Sequence, residues 1–425
     1  MKSKKVLSLI LSSLLVGTML MGCKANKPEE PANAKPGEDK KVTLTYWQHS
    51  SQARDTMMQN LAKDFMEKNK NIEVKLEFIP EADYFTKLIS SLATDAAPDV
   101  FQVQSGFISR LAKVGSIKPL DESVLPTNNV KNDFISAAVD GLTVDGKYYG
   151  LPTDIQTIVL YWNKDLVSAA GLDAEKGPKT WDEMREWAKK LTKSEGGKMT
   201  QSGWGEKGYN PEVQALMVQN GGKLVDSNGK YVFADDEKSV EAIKFMVDAY
   251  KVDKVYDTKF LKNWEGFRQG KVSMMLGHPA MLGNLKKTAP NVKLGIGLIP
   301  AKAGKNTTIV TSWAYSMSKK ADSKAATKWI EYLTSAEVQK KWTKETGELP
   351  GRKALLNDAE LTADPNIKLL ISSLNDSAVG YLQSGSLNTI WSTAFEKLIL
   401  TDAPLKETLK QMQDDLNKEI AKDLK

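Results

Sequence analysis

Cysteine and histidine are nearly missing from this 425-residue sequence, which holds one cysteine, Cys23, and two histidines, His49 and His278. A lone thiol closes no internal disulfide, and so few sulfur and imidazole ligands exclude His/Cys zinc clusters, thiol nucleophiles and HExxH metallohydrolases. The GxSxG elbow and the GxxxxGK[ST] phosphate loop are lacking as well. Gly295-Ile296-Gly297 opens like a dinucleotide fingerprint, but Pro300 stands in the third glycine's place, so the segment reads as a strand with a close backbone approach. No metal and no cofactor are expected. A charge excess of one sign is scarce too: 59 Lys and Arg oppose 53 Asp and Glu, for a net +6. Half of that excess is Lys2, Lys4 and Lys5 at the extreme N-terminus. No basic stripe interleaved with aromatics gives a nucleic-acid footprint. Glycoside hydrolysis needs only two carboxylates, so the acidic residues leave that chemistry open as the enzymatic alternative.

A long apolar run is also wanting. Val6 to Met21 is too short and wrongly flanked for a spanning helix, and with the lysines before it reads as a secretory leader over residues 1–22. It ends in Leu20-Met21-Gly22-Cys23, which resembles the bacterial lipobox. Cys23 is then the lipidated first residue of the mature chain. Two or more acyl chains, each adding about 0.8 kcal/mol per buried methylene, hold such a protein on a membrane. Residues 23–41, rich in Pro, Lys, Glu, Ala and Asn, read as a disordered tether. The expected location is the outer face of the cytoplasmic membrane of a Gram-positive bacterium, where an untethered protein diffuses away.

What remains is ordinary globular composition, 41% hydrophobic and 26% charged, at a length that suits two or three lobes. Val42, Leu44 and Tyr46 alternate as a strand; Met58, Leu61, Ala62, Phe65 and Met66 follow at helical spacing; Ile72, Val74, Leu76 and Phe78 alternate again. A helix over 84–93 and a strand over 99–103 complete a βαβαβ start, pointing to a largely parallel sheet covered by helices. Asp145-Gly146 predicts a hairpin turn, and a second lobe begins near Thr153. Thr180 and Glu183 form a capping box, and Val240, Ile243, Met246, Val247 and Tyr250 mark a helix. Strands are expected over 272–276, 293–299 and 308–317, and helices over 321–333, 337–346 and 404–424, the last with Leu405, Leu409, Met412 and Leu416 inward.

Aromatics stand near expected strand ends and loops: Trp47, Trp204, Tyr209, Trp264, Trp313 and Trp391. Indole and phenol rings stack on the apolar C–H faces of sugars, whose hydroxyls bond to Asp, Asn, Gln and Arg. Ligands of open α/β folds bind beyond the carboxyl ends of strands, and Trp47, Gln48 and His49 occupy such an end. Core packing is the competing assignment for any one tryptophan. It is given to Trp162, Trp187, Trp329 and Trp342, which sit within strand or helix periodicity.

In order along the chain, Leu44-Thr-Tyr-Trp47, Ala97-Pro-Asp-Val100, Leu120-Asp121, Asp145-Gly-Lys-Tyr-Tyr-Gly-Leu-Pro152, Tyr161-Trp-Asn-Lys-Asp165, Pro178-Lys-Thr-Trp-Asp-Glu183, Asn220-Gly-Gly222, Gly270-Lys-Val-Ser-Met274 and Ser312-Trp313 resemble the extracellular solute-binding proteins of carbohydrate ABC importers, the maltose-binding-like group (family 1). The resemblance implies an α/β, two-lobed periplasmic-binding-protein-like fold of type II, with a sugar, a di- or oligosaccharide, held in the cleft of a monomer and delivered to ABC permease subunits. It allots 42–152 plus 301–345 to the N-terminal lobe and 153–300 plus 346–425 to the C-terminal lobe. It implies ligand contacts from Trp47, Gln48, His49 and Gln104, from Asp154 and Gln156 at the crossing, and from Trp204, Tyr209, Asn210, Trp264 and His278 opposite. Trp313 stacks on a ring, and Arg352 and Trp391 close the site. The sequence departs from the family where Gly277-His278-Pro279 replaces a usual Gly-x-Trp, where Ser312 replaces glycine, and where Gln156 replaces an acid of some relatives. A lipoprotein glycosidase, a binder of a non-sugar solute and a sensor or adhesion subunit remain as alternatives.

Overall fold

The computed structural model describes residues 41–205, 210–226, 229–380 and 386–423. The leader, Cys23, the tether up to residue 40 and Tyr209 lie outside the described residues. Strands β1 (Val42–His49), β2 (Ile72–Ile79) and β3 (Val100–Gln104) are parallel, with β1 between the other two. The hairpin β4 (Thr143–Val144) and β5 (Lys147–Tyr148) turns on Asp145 at φ 49° and Gly146 at φ 76°, the left-handed pair of a type I′ turn.

Strand β6 (Gly150–Gln156) is followed after only Thr157 and Ile158 by β7 (Val159–Asn163), and the two belong to different sheets. The remaining strands are β8 (Lys193–Glu195), β9 (Lys198–Trp204), β10 (Val272–Gly277), β11 (Leu294–Leu298), β12 (Thr308–Met317) and β13 (Ser377–Val379). The first sheet runs β13-β12-β3-β1-β2, with β6 also on β12; the second runs β11-β7-β10-β9-β8. The expected parallel arrangement holds for β1 to β3, but β12 is antiparallel to both β3 and β6, and β7 is antiparallel to β10 and β11. Strand β12 is parallel to its other neighbour, β13.

Both sheets bury both faces. Leu44, Tyr46, Phe65, Trp329 and Trp342 fill one side of the first sheet, and Tyr84, Leu88 and Phe101 the other. Trp162, Trp181, Met246 and Leu409 pack on one side of the second, and Tyr161, Phe267, Met275 and Met281 on the other. Strand β12 passes between these cores: Ile309 packs with the second-sheet cluster and Tyr315 with the first. A third passage lies at Leu349, whose carbonyl accepts from the Ile155 N–H at 2.8 Å.

This third passage leaves the helix Ala336–Thr346 through Gly347, at φ 78°, and is pressed against the helix Ala280–Thr288. A Cβ on Gly283 would stand 2.3 Å from the carbonyl oxygen of Thr346, so only glycine allows this approach. The C-terminal helix Leu405–Asp423 buries Leu409, Met412 and Leu416. Among the described residues no helix is long and apolar enough to cross a membrane.

Candidate functional site

Where β1, β3, β6 and β12 lie side by side, residues opposite one another in register present side chains to one face. Trp313 of β12 is opposite Gln104 of β3 on one edge and Asp154 of β6 on the other, and Thr311 is opposite Gln156. His49 ends β1 beside them, its ring 4.6 Å from that of Trp313 and inclined at 36°. From the second sheet come His278, just after β10, and Trp264, on the short helix Asn263–Arg268, with ring centroids 5.2 Å apart. The Tyr161 hydroxyl donates to the His278 carbonyl at 3.0 Å and fixes that turn.

His49, Gln104, Gln156, Thr311 and Trp313 on one side and Trp264 and His278 on the other line a cavity of about 270 Å³. His49, Gln104, Gln156, Trp264, His278 and Trp313, expected from the sequence, are all brought to it. Asp154 stands behind Gln156, whose Nε2 donates to its Oδ2, leaving Gln156 Oε1 without a partner. Gln104 Oε1, Asp154 Oδ1 and His278 Nδ1 are buried and unpaired as well. Such atoms await water or the hydroxyls of a ligand.

The structure places other expected residues elsewhere. Trp47 shares a face with His49 but lies two residues further back along β1, where it joins the core beside Tyr84 under the Lys87 ammonium, 4.7 Å from the ring. Gln48 points to the opposite face, accepting from the Tyr46 hydroxyl at 2.9 Å and donating to Asp55 at 3.1 Å. Trp204 is 2% exposed and packs on Phe245 in the second core. Trp391, also 2% exposed, packs on Phe233. Arg352 lies on Phe134 at 4.6 Å, bonded to Asp133 and the Thr334 carbonyl, away from the cavity. Asn210 opens the helix Asn210–Gln219, and its neighbour Pro211 reaches the cavity wall.

Sequence reading missed Arg54 and Glu348. Arg54, in the first turn of the helix Gln52–Lys68, donates from one terminal nitrogen to Nε2 of His49 and from the other to Oε1 of Glu348. Glu348 is fully buried on the third passage, and its second oxygen accepts from the Trp342 indole. Their signal was faint: an arginine one turn after a strand end, and an acid flanked by Gly347 and Leu349.

Burial, reinforced by the Arg54 charge, pushes the His49 pKa down to about 3 and that of His278 to about 4. Burial raises Asp154 to about 6, opposed by Arg54 and by the Gln156 hydrogen bond. Both imidazoles are therefore neutral. With Nε2 of His49 accepting from Arg54, its proton sits on Nδ1, which faces the otherwise unpaired amide of Gln102.

Two aromatic faces and several unpaired polar atoms, converging between two sheets joined by short passages, define a site suited to a small polar ligand. The chain belongs to the bacterial extracellular solute-binding protein family, whose sequence profile matches residues 60–368. It is 26% identical over 339 residues to a putative binding protein of Brucella abortus (strain 2308), covering 76% of this chain and 80% of that one. It is 26% identical to an arabinooligosaccharide-binding protein of Bacillus subtilis, covering 72% and 69%. Among solved structures, an ABC transporter solute-binding protein of Thermotoga lettingae bound to α-D-tagatose superimposes with a TM-score of 0.78 at 23% identity, over 89% of this chain and 99% of that one. The protein Lmo0181 of Listeria monocytogenes in complex with cycloalternan gives 0.77 at 24%, over 90% and 100%. These superpositions fix the two-lobed periplasmic-binding-protein fold.

Proposed function

We propose that the protein captures a saccharide in the 270 Å³ cavity and passes it to the membrane subunits of an ABC importer. The observation that carries this reading is the pairing of Trp313 and Trp264 on two sides of one cavity whose walls hold the unpaired oxygens of Gln104 and Gln156. Stacking on C–H faces and acceptance from hydroxyls is the chemistry a sugar requires. Relatives named for arabinooligosaccharide and maltotriose binding support the class, and a di- or oligosaccharide is the form we favour. The short passages at Thr157-Ile158, along β12 and at Leu349 act as the hinge between N-terminal and C-terminal lobes, and closure on the sugar creates the form the importer reads. The protein works as a monomer outside the cell, held to the membrane by lipid on Cys23, in a Gram-positive host.

No catalytic step belongs to this reading. Among the described residues the carboxylates lining the cavity are Glu81 and Glu348, and Glu348 is committed to Arg54 and Trp342, so these residues offer no matched acid and base pair. The test is a thermal-shift screen of the purified mature protein against mono-, di- and oligosaccharides, with amino acids and peptides as controls. A ligand bound only by the folded state at a hundredfold excess over Kd adds about 2.7 kcal/mol, a visible rise in midpoint. A shift with a peptide and none with any saccharide rejects the sugar assignment, and turnover of a labelled oligosaccharide rejects the purely binding role.

A further inference from the structure

Arg54 is the side chain best shaped to bind an anion in this cavity. Its planar fork matches carboxylate or phosphate, and it stands in the first turn of the helix Gln52–Lys68, where the helix dipole also favours negative charge. Yet each terminal nitrogen already donates, one to His49 and the other to Glu348, whose carboxylate balances the Arg54 charge; Arg54 is 9% and Glu348 0% exposed. The Lys287 ammonium, also on the cavity lining, faces Glu345 at 3.3 Å, and Glu81 is a further lining carboxylate. Among the described residues lining the cavity, the cations Arg54 and Lys287 are thus matched by the carboxylates Glu81 and Glu348, and Asp154 lies behind Gln156. The imidazoles add no charge, both being held neutral by burial and by Arg54.

We infer that Glu348 is a specificity-determining residue: by occupying Arg54 with a carboxylate of the protein's own, it confines the cavity to uncharged saccharides and shuts out sugar acids and phosphorylated polyols. The inference rests on the capture reading and adds the charge class of the ligand. An anion entering here loses its hydration and meets no uncompensated cation, whereas the hydroxyls of a neutral sugar satisfy Gln104 and Gln156 at no such cost. The distinction matters within the family, since an Escherichia coli relative 25% identical to this chain is named for binding sn-glycerol 3-phosphate.

The experiment compares thermal midpoints of the purified mature protein, at constant ionic strength, with inorganic phosphate, sn-glycerol 3-phosphate and trigalacturonate in one arm and maltotriose, mannotriose and arabinotriose in the other. The wild type is expected to ignore all three anions. Glu348→Gln, which keeps the shape and can still accept from Trp342, frees Arg54 and should bind phosphate at least about tenfold more tightly than wild type, the factor a single charge-assisted hydrogen bond supplies. An anion that shifts the wild type as far as a neutral trisaccharide does, or a folded Glu348→Gln protein with no gain for phosphate, overturns the inference. Should Glu348→Gln not fold, the wild-type anion arm decides alone. Silence of every neutral sugar counts against capture of saccharides and is read separately from the anion arm.

Discussion

Trp313 and Trp391 are the same residue type with opposite work. The indole of Trp313 is half-buried between His49 and Phe85 at the cavity wall, and Trp391 is sealed against Phe233 in a core. Trp313→Ala is expected to weaken saccharide binding by about 2 kcal/mol, near thirtyfold, with a small loss of stability, as read by calorimetric titration. Trp391→Ala should instead cost about 3–5 kcal/mol in urea unfolding and leave the affinity of the folded fraction unchanged. The two histidines give a second residue-scale prediction. Their pKa values in the fold, about 3 and about 4, lie below 6.5, so the unfolded chain protonates first as pH falls. The stability they confer is whole above about pH 6.5 and is lost as pH falls through about 4 for His278 and about 3 for His49; Asp154, raised to about 6, acts oppositely, its contribution being whole below 3.8 and lost as pH rises through 6. With only two imidazoles in the chain, nitrogen-15 NMR resolves each, and both should keep neutral-ring shifts down to pH 5. Titration of either near 6.5 contradicts the burial described. Tryptophan type alone did not separate the cleft from the core in the sequence, because stacking platforms and core fillers share the residue and differ only in how far along a strand they sit: Trp47 and His49 occupy one face of β1, and only the later reaches the opening.

At the scale of elements, local chemistry was readable where it is self-contained. The hairpin at Asp145-Gly146, β12 over Thr308–Met317 and the inward leucines of the last helix follow from turn propensity and period. The helix Trp181–Leu191 starts at Thr180 as its capping residues imply, with the Thr180 hydroxyl accepting from Glu183 N at 3.1 Å; the Glu183 carboxylate, however, reaches Lys179 N at 2.7 Å, one residue earlier than a capping box places it. Thr180→Ala should cost about 1 kcal/mol in urea unfolding. Strand β8, exposed throughout and lacking apolar residues, carries no alternation to be read and exists because β9 offers its edge. The contact between Gly283 and Thr346 was equally invisible, since it joins elements more than sixty positions apart in sequence. Gly283→Ala drives a methyl into the Thr346 carbonyl, and we expect about 1–3 kcal/mol of destabilisation together with weaker ligand binding, because the displaced helix Ala280–Thr288 carries part of the cavity wall. Unchanged affinity in a destabilised variant would place that contact outside the cleft's mechanics.

For the whole molecule, two lobes joined by short passages predict that a saturating sugar lowers the radius of gyration in solution scattering, and the lipid proposed on Cys23 predicts that Cys23→Ala moves the protein from the membrane fraction to the medium. An unchanged scattering profile, or a membrane-bound variant, argues against hinge closure or lipid anchoring respectively. The alternation of sheets has a consequence for biosynthesis. Among the described strands β6 pairs with β12, and β12 is also the partner that completes β3, yet about 150 residues separate Gln156 from Thr308. At roughly 5–20 residues per second, the first sheet waits on the order of ten seconds or more for its missing strand. During that interval the edges of β3 and β6 stand open in an emerging chain, so folding of this protein depends on whatever shields them until β12 arrives.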